Sequence, residues 1–350
     1  MTLGHFDWTG KTVLVTGGTG TFGQAFSRYL LERHKLAALR ILSRDELKQW
    51  EFSRRFHDDR LRFLIGDVRD RDRLFRAFHG VDVVIHAAAL KQVPSCEYNP
   101  FEAVKTNILG AENVIDAAIE RGVGRVIGLS SDKAANPVNL YGATKLCAEK
   151  LFIQGNYYSL PRDTRLACVR YGNVVASRGS VVPLFVEQRA EGRLTITDRR
   201  MTRFWITVRQ AVEFVERAVT LMEGQEIFVP KLPSVRITDL AEVMAPDCPI
   251  AEIGIRPGEK LHETLITDEE SRRAFDVGWG FLIAPTHDSA LSERWSGALP
   301  VAGEVVYRSD VNKSWLSKED IARAIPEALA EAEHYEDYLV GTAPRVDPKA

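Results

Sequence analysis

Thr12 to Thr16 is a short β-branched run that leads directly into Gly17, Gly18, Thr19, Gly20, Thr21, Phe22 and Gly23. Beyond it Phe22, Phe26, Tyr29 and Leu30 recur at helical spacing. A strand, a glycine turn and a helix in that order commit the start of the chain to a βα unit. The helix N-terminus of such a unit presents free N–H groups and a positive dipole end to an anion. Gly17 permits the tight turn, Gly20 lets the backbone approach a pyrophosphate, and Gly23 allows close packing; a purely structural turn is the competing reading.

The same rhythm continues at Leu39 to Leu42, Leu61 to Ile65, Val83 to His86, Val126 to Leu129 and Leu166 to Arg170. Helical patterns, such as Val104, Ile108, Val114 and Ala118, lie between these runs. This alternation predicts an α/β fold with a Rossmann-type doubly wound parallel sheet. With 350 residues there is room for a smaller C-terminal substrate-binding lobe. Residues 1–173 are expected to form the dinucleotide-binding domain, with later segments returning to it. Residues 174–340 would form mainly the lobe, and 341–350 a flexible tail. In the lobe Leu194 to Thr197 and Glu226 to Val229 read as strands and Val208 to Met222 as a helix. Lys318 to Tyr338 reads as a closing amphipathic helix with Ser317 as its N-cap.

Forty-six basic and 48 acidic side chains leave a formal net charge of -2, so no global field favours nucleic acid or an anionic membrane. Arg69, Arg71, Arg73 and Arg76 alternate with Asp70 and Asp72 as a solvated helix face. No apolar run is long enough to span a bilayer, and the N-terminus does not read as a signal peptide, so a cytoplasmic protein is expected. Cys96, Cys147, Cys168 and Cys248 are too scattered to suggest a metal site or a disulfide framework.

The GxxGxxG spacing departs from GxGxxG and resembles the extended short-chain dehydrogenases. The second strand ends in Ser43, Arg44 and Asp45, where a guanidinium favours the 2′-phosphate of NADP; the alternative is a surface arginine with Asp45 on the ribose. Asp67, followed by Val68, resembles that family's adenine contact, and a helix N-cap fits equally well. Ala87, Ala88 and Ala89 are small enough to let a dinucleotide approach. His86 reads as a core histidine without a catalytic role.

Ser130, Ser131, Asp132 and Lys133 close the fifth strand, and Tyr141 and Lys145 follow at i and i+4 on the next helix. An ammonium near a phenol should lower its pKa and let Tyr141 accept a hydroxyl proton during hydride transfer, while Lys145 also binds the nicotinamide ribose. Asn136 and Pro137 supply a turn able to fold Tyr141 back beside Asp132. The stretch from Ser131 to Lys145 resembles the inverting UDP-N-acetylglucosamine 4,6-dehydratases, which begin pseudaminic acid synthesis. The likeness extends through Ser43 to Gln49, Ala89 to Pro100, Met201 to Thr207 and Arg256 to Glu263. The dTDP-glucose enzymes have Asp-Glu in place of Asp132-Lys133 and a tyrosine farther downstream. Longer dehydratases that retain C5 configuration carry membrane segments and lack this tyrosine.

The resemblance implies UDP-N-acetylglucosamine as substrate, NADP as cofactor and a homo-oligomer. It also implies Lys133 as the C5 base and Asp132 as the acid for the C6 hydroxyl. Their neighbouring charges would have to collapse to acid and amine in a dry pocket. Substrate contacts are expected from Lys91, Ser131, Asn173, Arg178, Thr202, Arg203, Arg256 and Glu259, with structural salt bridges as the alternative for Arg203 and Arg256. Asn107 is expected at the cofactor, or bonded to backbone inside its helix; Thr106 could position cofactor or sugar hydroxyls. A sugar nucleotide 4-epimerase would use Tyr141 and Lys145 without the acid/base pair, and a non-catalytic dinucleotide-binding regulator would need neither.

Overall fold

The β-branched runs of the first half form parallel strands β1 (Thr12–Thr16), β2 (Ala38–Ser43), β3 (Leu61–Ile65), β4 (Val83–His86), β5 (Arg125–Ser131) and β6 (Arg165–Tyr171). They stand in the order β3-β2-β1-β4-β5-β6. The strand order therefore reverses between β1 and β4, and a crevice opens at the carboxyl ends there. The computed structural model describes residues 6–160, 163–177, 179–285, 295, 298–301 and 306–335. Arg178 and the expected tail at 341–350 lie outside the described residues.

Helices α1 (Thr21–Arg33), α2 (Glu46–Arg55), α3 (Arg71–Ala77), α4 (Val93–Tyr98), α5 (Pro100–Val104), α6 (Gly110–Arg121) and α7 (Leu140–Ser159) connect these strands. Between α5 and α6 the chain makes one π turn, Lys105–Leu109. The extra residue in that turn shifts the helical register, burying Thr106 and Asn107 where the sequence pattern marks Ile108.

The later half alternates between two layers. Strands β7 (Leu194–Ile196) and β8 (Thr202–Phe204) belong to the lobe, whereas β9 (Ile227–Pro230) returns to pair in parallel with β6. Glu226 to Val229 was expected in the lobe; instead Ile227, Phe228 and Val229 are buried as an interior strand requires. Strands β10 (Ser234–Arg236) and β11 (Ile250–Glu252) pair with β8 and β7, and β12 (Thr264–Ile266) pairs with β16 (Tyr307–Arg308). Strands β13 (Ala274–Asp276), β14 (Gly280–Ile283) and β15 (Leu299–Pro300) extend the main sheet antiparallel beyond β9. The lobe has its own core around Phe185, Leu194, Trp205, Leu240 and Ile321. Ile321 comes from the helix Lys318–Tyr335, whose start is capped by the Ser317 hydroxyl accepting from Asp320 N at 3.1 Å.

One ionic cluster joins these layers. Arg170, at 0% exposure on β6, donates to both carboxylate oxygens of Glu149 on α7 at 2.8 and 2.6 Å. It also donates to both oxygens of Glu270 at 2.8 Å and to the Leu265 carbonyl at 2.9 Å. Burial alone would raise the Glu270 carboxyl, but the Arg170 bonds hold it down to about 2.

Replacing Arg170 by methionine leaves two carboxylates without their buried counter-charge, and urea unfolding should show a loss of about 3–5 kcal/mol. The depressed Glu270 stabilises the fold fully above its unfolded pKa of about 4.3 and loses that contribution as pH falls toward 2. The gap between native and variant proteins is therefore expected to narrow from pH 4 downward, and a constant gap would contradict this assignment.

Candidate active site

A cleft of about 1150 Å³ runs along the carboxyl ends of the strands, from the glycine turn after β1 to the lobe. Gly17 has φ +65°, and a Cβ there would lie 2.8 Å from Ala88 Cα, so the ends of β1 and β4 approach closely only because it is absent. A Cβ on Gly23 would lie 2.5 Å from Gly18 Cα. Gly20 is the N-cap of α1 and has no side-chain capping bond, and the first turn contains no acidic residue. The N–H groups of a 13-residue helix are thus left for an anion at the cleft. Thr19, Thr21, Phe22, Ser43, Val68, Ala87, Ala89 and Ser130 complete this wall. The uncapped helix start, the glycine cradle and the small alanine wall fit a dinucleotide.

Asp45 accepts from Lys48 N at 3.0 Å as the N-cap of α2 and pairs with Lys48 Nζ at 3.1 Å. Arg44 is half-exposed on the same rim and reaches Asp67 at 3.6 Å, while Asp67 is held by Arg69 at 2.7 Å. Asn107 does not line the cleft. Its Oδ1 accepts from Leu90 N at 2.8 Å and its Nδ2 donates to Leu90 O and Thr144 Oγ1, each at 2.9 Å. The expected cofactor contact is therefore replaced by a backbone clamp. Thr106, its neighbour in the π turn, does reach the cleft, and its buried hydroxyl has no hydrogen-bond partner within the chain. His86 is buried with Nδ1 2.8 Å from Thr16 Oγ1, and burial beside Lys145 lowers its imidazole to about 3, which makes it a neutral core residue.

After β5 the chain makes a single 3-10 turn, Asp132–Ala134. Ser131 Oγ organises it by accepting from Lys133 N at 3.2 Å and donating to Asp132 Oδ1 at 2.7 Å. Asn136 then takes a left-handed conformation, φ 49°, and Asn139 caps α7 by accepting from Gly142 N at 2.7 Å. A Cβ on Gly142 would collide with the Lys133 carbonyl, so the first turn of α7 seats directly on the Asp132–Ala134 turn. Tyr141, Lys145 and Lys133 consequently line one wall, with Asp132 just beneath it at 1% exposure.

Lys133 Nζ donates to Asp132 Oδ1 at 2.9 Å, Asn173 Oδ1 at 3.0 Å and Glu263 Oε1 at 3.3 Å. Burial would favour its free amine, but the two carboxylates outweigh burial and raise its pKa. Asp132 is raised by burial and by the nearby Glu263, whereas Glu263 is lowered because Lys133, Arg203 and Lys260 outweigh its burial. The anticipated acid-and-amine pair is thus half formed: Asp132 is driven toward the acid, while Lys133 is held as ammonium.

Tyr141 also departs from expectation. Burial pushes its phenol up to about 12, and the cation that partly offsets this is Lys133. Lys145 instead donates to the Leu129 carbonyl, and burial lowers its own pKa. Helical spacing put both groups on one wall but did not bring the Lys145 ammonium onto the phenol.

On the lobe side, Lys91, Ser131, Asn173, Arg256 and Glu259 line the cleft, and Arg256 and Glu259 face each other at 3.9 Å. Arg203 also lines it, but Nη1 donates to the Thr202 and Leu261 carbonyls at 2.8 and 3.0 Å, Nη2 to Lys260 O at 3.2 Å, and Nε lies 3.5 Å from Glu263. Its guanidinium ties lobe backbone together, the structural alternative to a diphosphate clamp, while still facing the cleft. Thr202 is buried behind the wall, bonded to His262 Nδ1 at 2.9 Å and Ser309 Oγ at 2.6 Å, which corrects its expected substrate contact. Two residues escaped selection from the sequence. Lys260 donates to Ala135 O at 2.6 Å, and Glu263 is a buried carboxylate against Lys133. Both lie in the Arg256 to Glu263 segment, but spacing alone did not distinguish them from Arg256 and Glu259.

A family model described as "Polysaccharide biosynthesis protein" matches residues 13–284. Over 323 residues the chain is 48% identical to the UDP-N-acetylglucosamine 4,6-dehydratase (inverting) of Campylobacter jejuni strain 81-176, covering 90% of this chain and 97% of that one. It is 46% identical over 276 residues to a Rickettsia prowazekii protein named UDP-glucose 4-epimerase, covering 77% and 81%. The X-ray structure of Pen from Bacillus thuringiensis matches with a TM-score of 0.85 at 41% identity, covering 92% of this chain and 99% of that one. The chain therefore belongs to the polysaccharide biosynthesis protein family and has inverting UDP-N-acetylglucosamine 4,6-dehydratases among its relatives.

Proposed function

We propose that this protein is an NADP-dependent UDP-N-acetylglucosamine 4,6-dehydratase that inverts C5. The observation that carries this reading is the Asp132–Lys133 pair, with Lys133 on the same cleft wall as Tyr141 and Asp132 directly beneath it. Oxidation and reduction at C4 alone would need Tyr141 and Lys145 but no second acid/base pair. The glycine cradle, Ser43, Arg44 and Ala87 to Ala89 would hold the cofactor, with Arg44 on the 2′-phosphate. Bound there, a nicotinamide dinucleotide supplies a hydride acceptor for C4, a hydride donor for C6 and, when oxidised, a positive charge favouring the Tyr141 phenolate.

Tyr141 takes the O4 proton as the sugar is oxidised at C4. The resulting ketone acidifies the C5 hydrogen, which Lys133 removes in its amine form, and Asp132 protonates the departing C6 hydroxyl. Burial and the neighbouring Glu263 raise the Asp132 carboxyl, the direction that a proton donor to the C6 hydroxyl calls for. With hydride returned to C6, protonation of C5 on its opposite face by a solvent-derived proton yields the 4-keto-6-deoxy-L-arabino sugar.

Incubation with UDP-N-acetylglucosamine in deuterated water should give a new C6 methyl signal with deuterium at C5 in proton NMR. Recovery of the galacto epimer with its C5 hydrogen intact would favour the activity named for the Rickettsia relative. Absence of turnover with any nucleotide sugar would remove the enzymatic reading. Lys133→Met should abolish methyl formation while reduced nicotinamide still accumulates from C4 oxidation.

Arg44→Ala should weaken NADP binding about 10- to 100-fold in calorimetry, the loss of a charge-assisted contact, and leave NAD binding nearly unchanged. Equal weakening of both cofactors would show that Arg44 does not read the 2′-phosphate.

A further inference from the structure

Lys133 cannot act as a base in the arrangement it occupies. An ammonium has three N–H bonds, and here three oxygens accept them: Asp132 Oδ1 at 2.9 Å, Asn173 Oδ1 at 3.0 Å and Glu263 Oε1 at 3.3 Å. One proton must leave before Nζ has an electron pair to offer C5. Asn173 Oδ1 is an amide oxygen and cannot hold that proton. Asp132 is required as the acid for the C6 hydroxyl and must keep its own. Glu263 remains.

Glu263 is built into this position rather than reaching it from the surface. It is 3% exposed, it precedes β12, and its backbone N–H donates to Ser309 Oγ at 2.9 Å. Its Oε1 also lies 3.5 Å from Arg203 Nε, while Oε2, like Asp132 Oδ2 on the other side of Lys133, is buried with no hydrogen-bond partner within the chain. Arg203, anchored to three backbone carbonyls, cannot swing away to follow a substrate and offers Glu263 a fixed positive charge. Leaving a buried carboxylate oxygen without a donor is costly for a group with only a structural task. Two carboxylates that exchange protons during turnover, Asp132 giving and Glu263 receiving, account for both open oxygens.

We infer that Glu263 is the proton-holding partner of Lys133: it takes an Nζ proton to release the amine that abstracts the C5 hydrogen, and returns it after elimination. This inference rests on the proposed dehydratase reading. The step balances as follows. An Nζ–H bond breaks, an Oε–H bond forms on Glu263, and the electron pair stays on nitrogen. Nζ then takes the C5 proton, the C–H electrons enter the C4–C5 enolate, and loss of the C6 hydroxyl with the Asp132 proton gives water. The cluster has gained one proton from C5 and given one to water; shifting the Glu263 proton through Lys133 to Asp132 restores the starting state. Glu263 touches neither sugar nor cofactor in this scheme and acts only through Lys133.

The test compares native protein with Glu263→Gln and Glu263→Asp in single-turnover reactions with NADP and UDP-N-acetylglucosamine. Reduced nicotinamide absorbance follows C4 oxidation, and NMR follows the C6 methyl group and deuterium at C5. Glu263→Gln should slow methyl formation about 100-fold more than it slows C4 oxidation, so that reduced nicotinamide accumulates. Because its Lys133 can then lose a proton only to solvent, elimination should accelerate about tenfold per pH unit where the native rate is flat. Glu263→Asp, which keeps a carboxylate, should restore part of the rate and the flat profile. Native elimination rates in Glu263→Gln overturn the proposal, as does equal slowing of C4 oxidation and elimination, which marks a structural role. If native protein itself forms no methyl product, the dehydratase reading falls and this inference with it.

Discussion

The seating of α7 on the turn after β5 is the constraint on which the site depends. It exists because residue 142 has no side chain, so the helix backbone meets the Lys133 carbonyl directly. Asn139 fastens the same helix start to the 256–260 loop through Gly258 O at 2.7 Å, and Glu97 receives Leu140 N at 2.6 Å. The middle of α7 is fixed by Glu149 in the Arg170 cluster. Tyr141 and Lys145 thus project from a stretch of helix pinned on either side, at residues 139–142 and at Glu149, which favours a geometry set before any ligand binds.

Charge in the cleft wall is organised around exclusion of water. Asp132, Lys133, Glu263 and Arg203 are packed together with two carboxylates and two cations, and Lys260 stands behind them on the Ala135 carbonyl. In such surroundings separated charges persist only in pairs, so moving one proton alters every neighbour. That coupling explains why Asp132 and Glu263, both carboxylates at the same lysine, shift in opposite directions: Arg203 and Lys260 lie on the Glu263 side. A pair of acids with divided roles is the arrangement that elimination of water requires.

The sheet and the glycine turn at the end of β1 were legible in the sequence because they rest on local rules. The glycine turn, the β-branched runs and the Asn136–Pro137 turn each act within a few residues, and their predicted places agree with the structure to within a residue or two. What depended on distant partners was not legible. Asn107 reads as a polar residue near a cofactor, but the π turn aims it at Leu90 backbone. Arg203 reads as an anion clamp until the Thr202, Lys260 and Leu261 carbonyls surround it. Spacing predicts that Tyr141 and Lys145 share a face; it says nothing of the Leu129 carbonyl that draws the ammonium aside.

The lobe therefore does more than close one side of the cleft. A tyrosine and a lysine on a Rossmann helix can support oxidation at C4, and nothing in that pair alone carries the reaction on to C5 and C6. Loss of the C6 hydroxyl needs a proton donor and an acceptor whose pKa values are pushed apart at one place. β5 delivers Asp132 and Lys133 side by side, where alone they would neutralise each other as an ordinary ion pair. Residues 203, 260 and 263, remote in sequence and brought in by the lobe, break that symmetry: Glu263 sets a second carboxylate against Lys133, Arg203 stands beside Glu263, and Lys260 ties down the Asp132 and Ala135 carbonyls. Carrying the reaction past C4 then requires no new fold, only a lobe segment that sets the charge around Lys133.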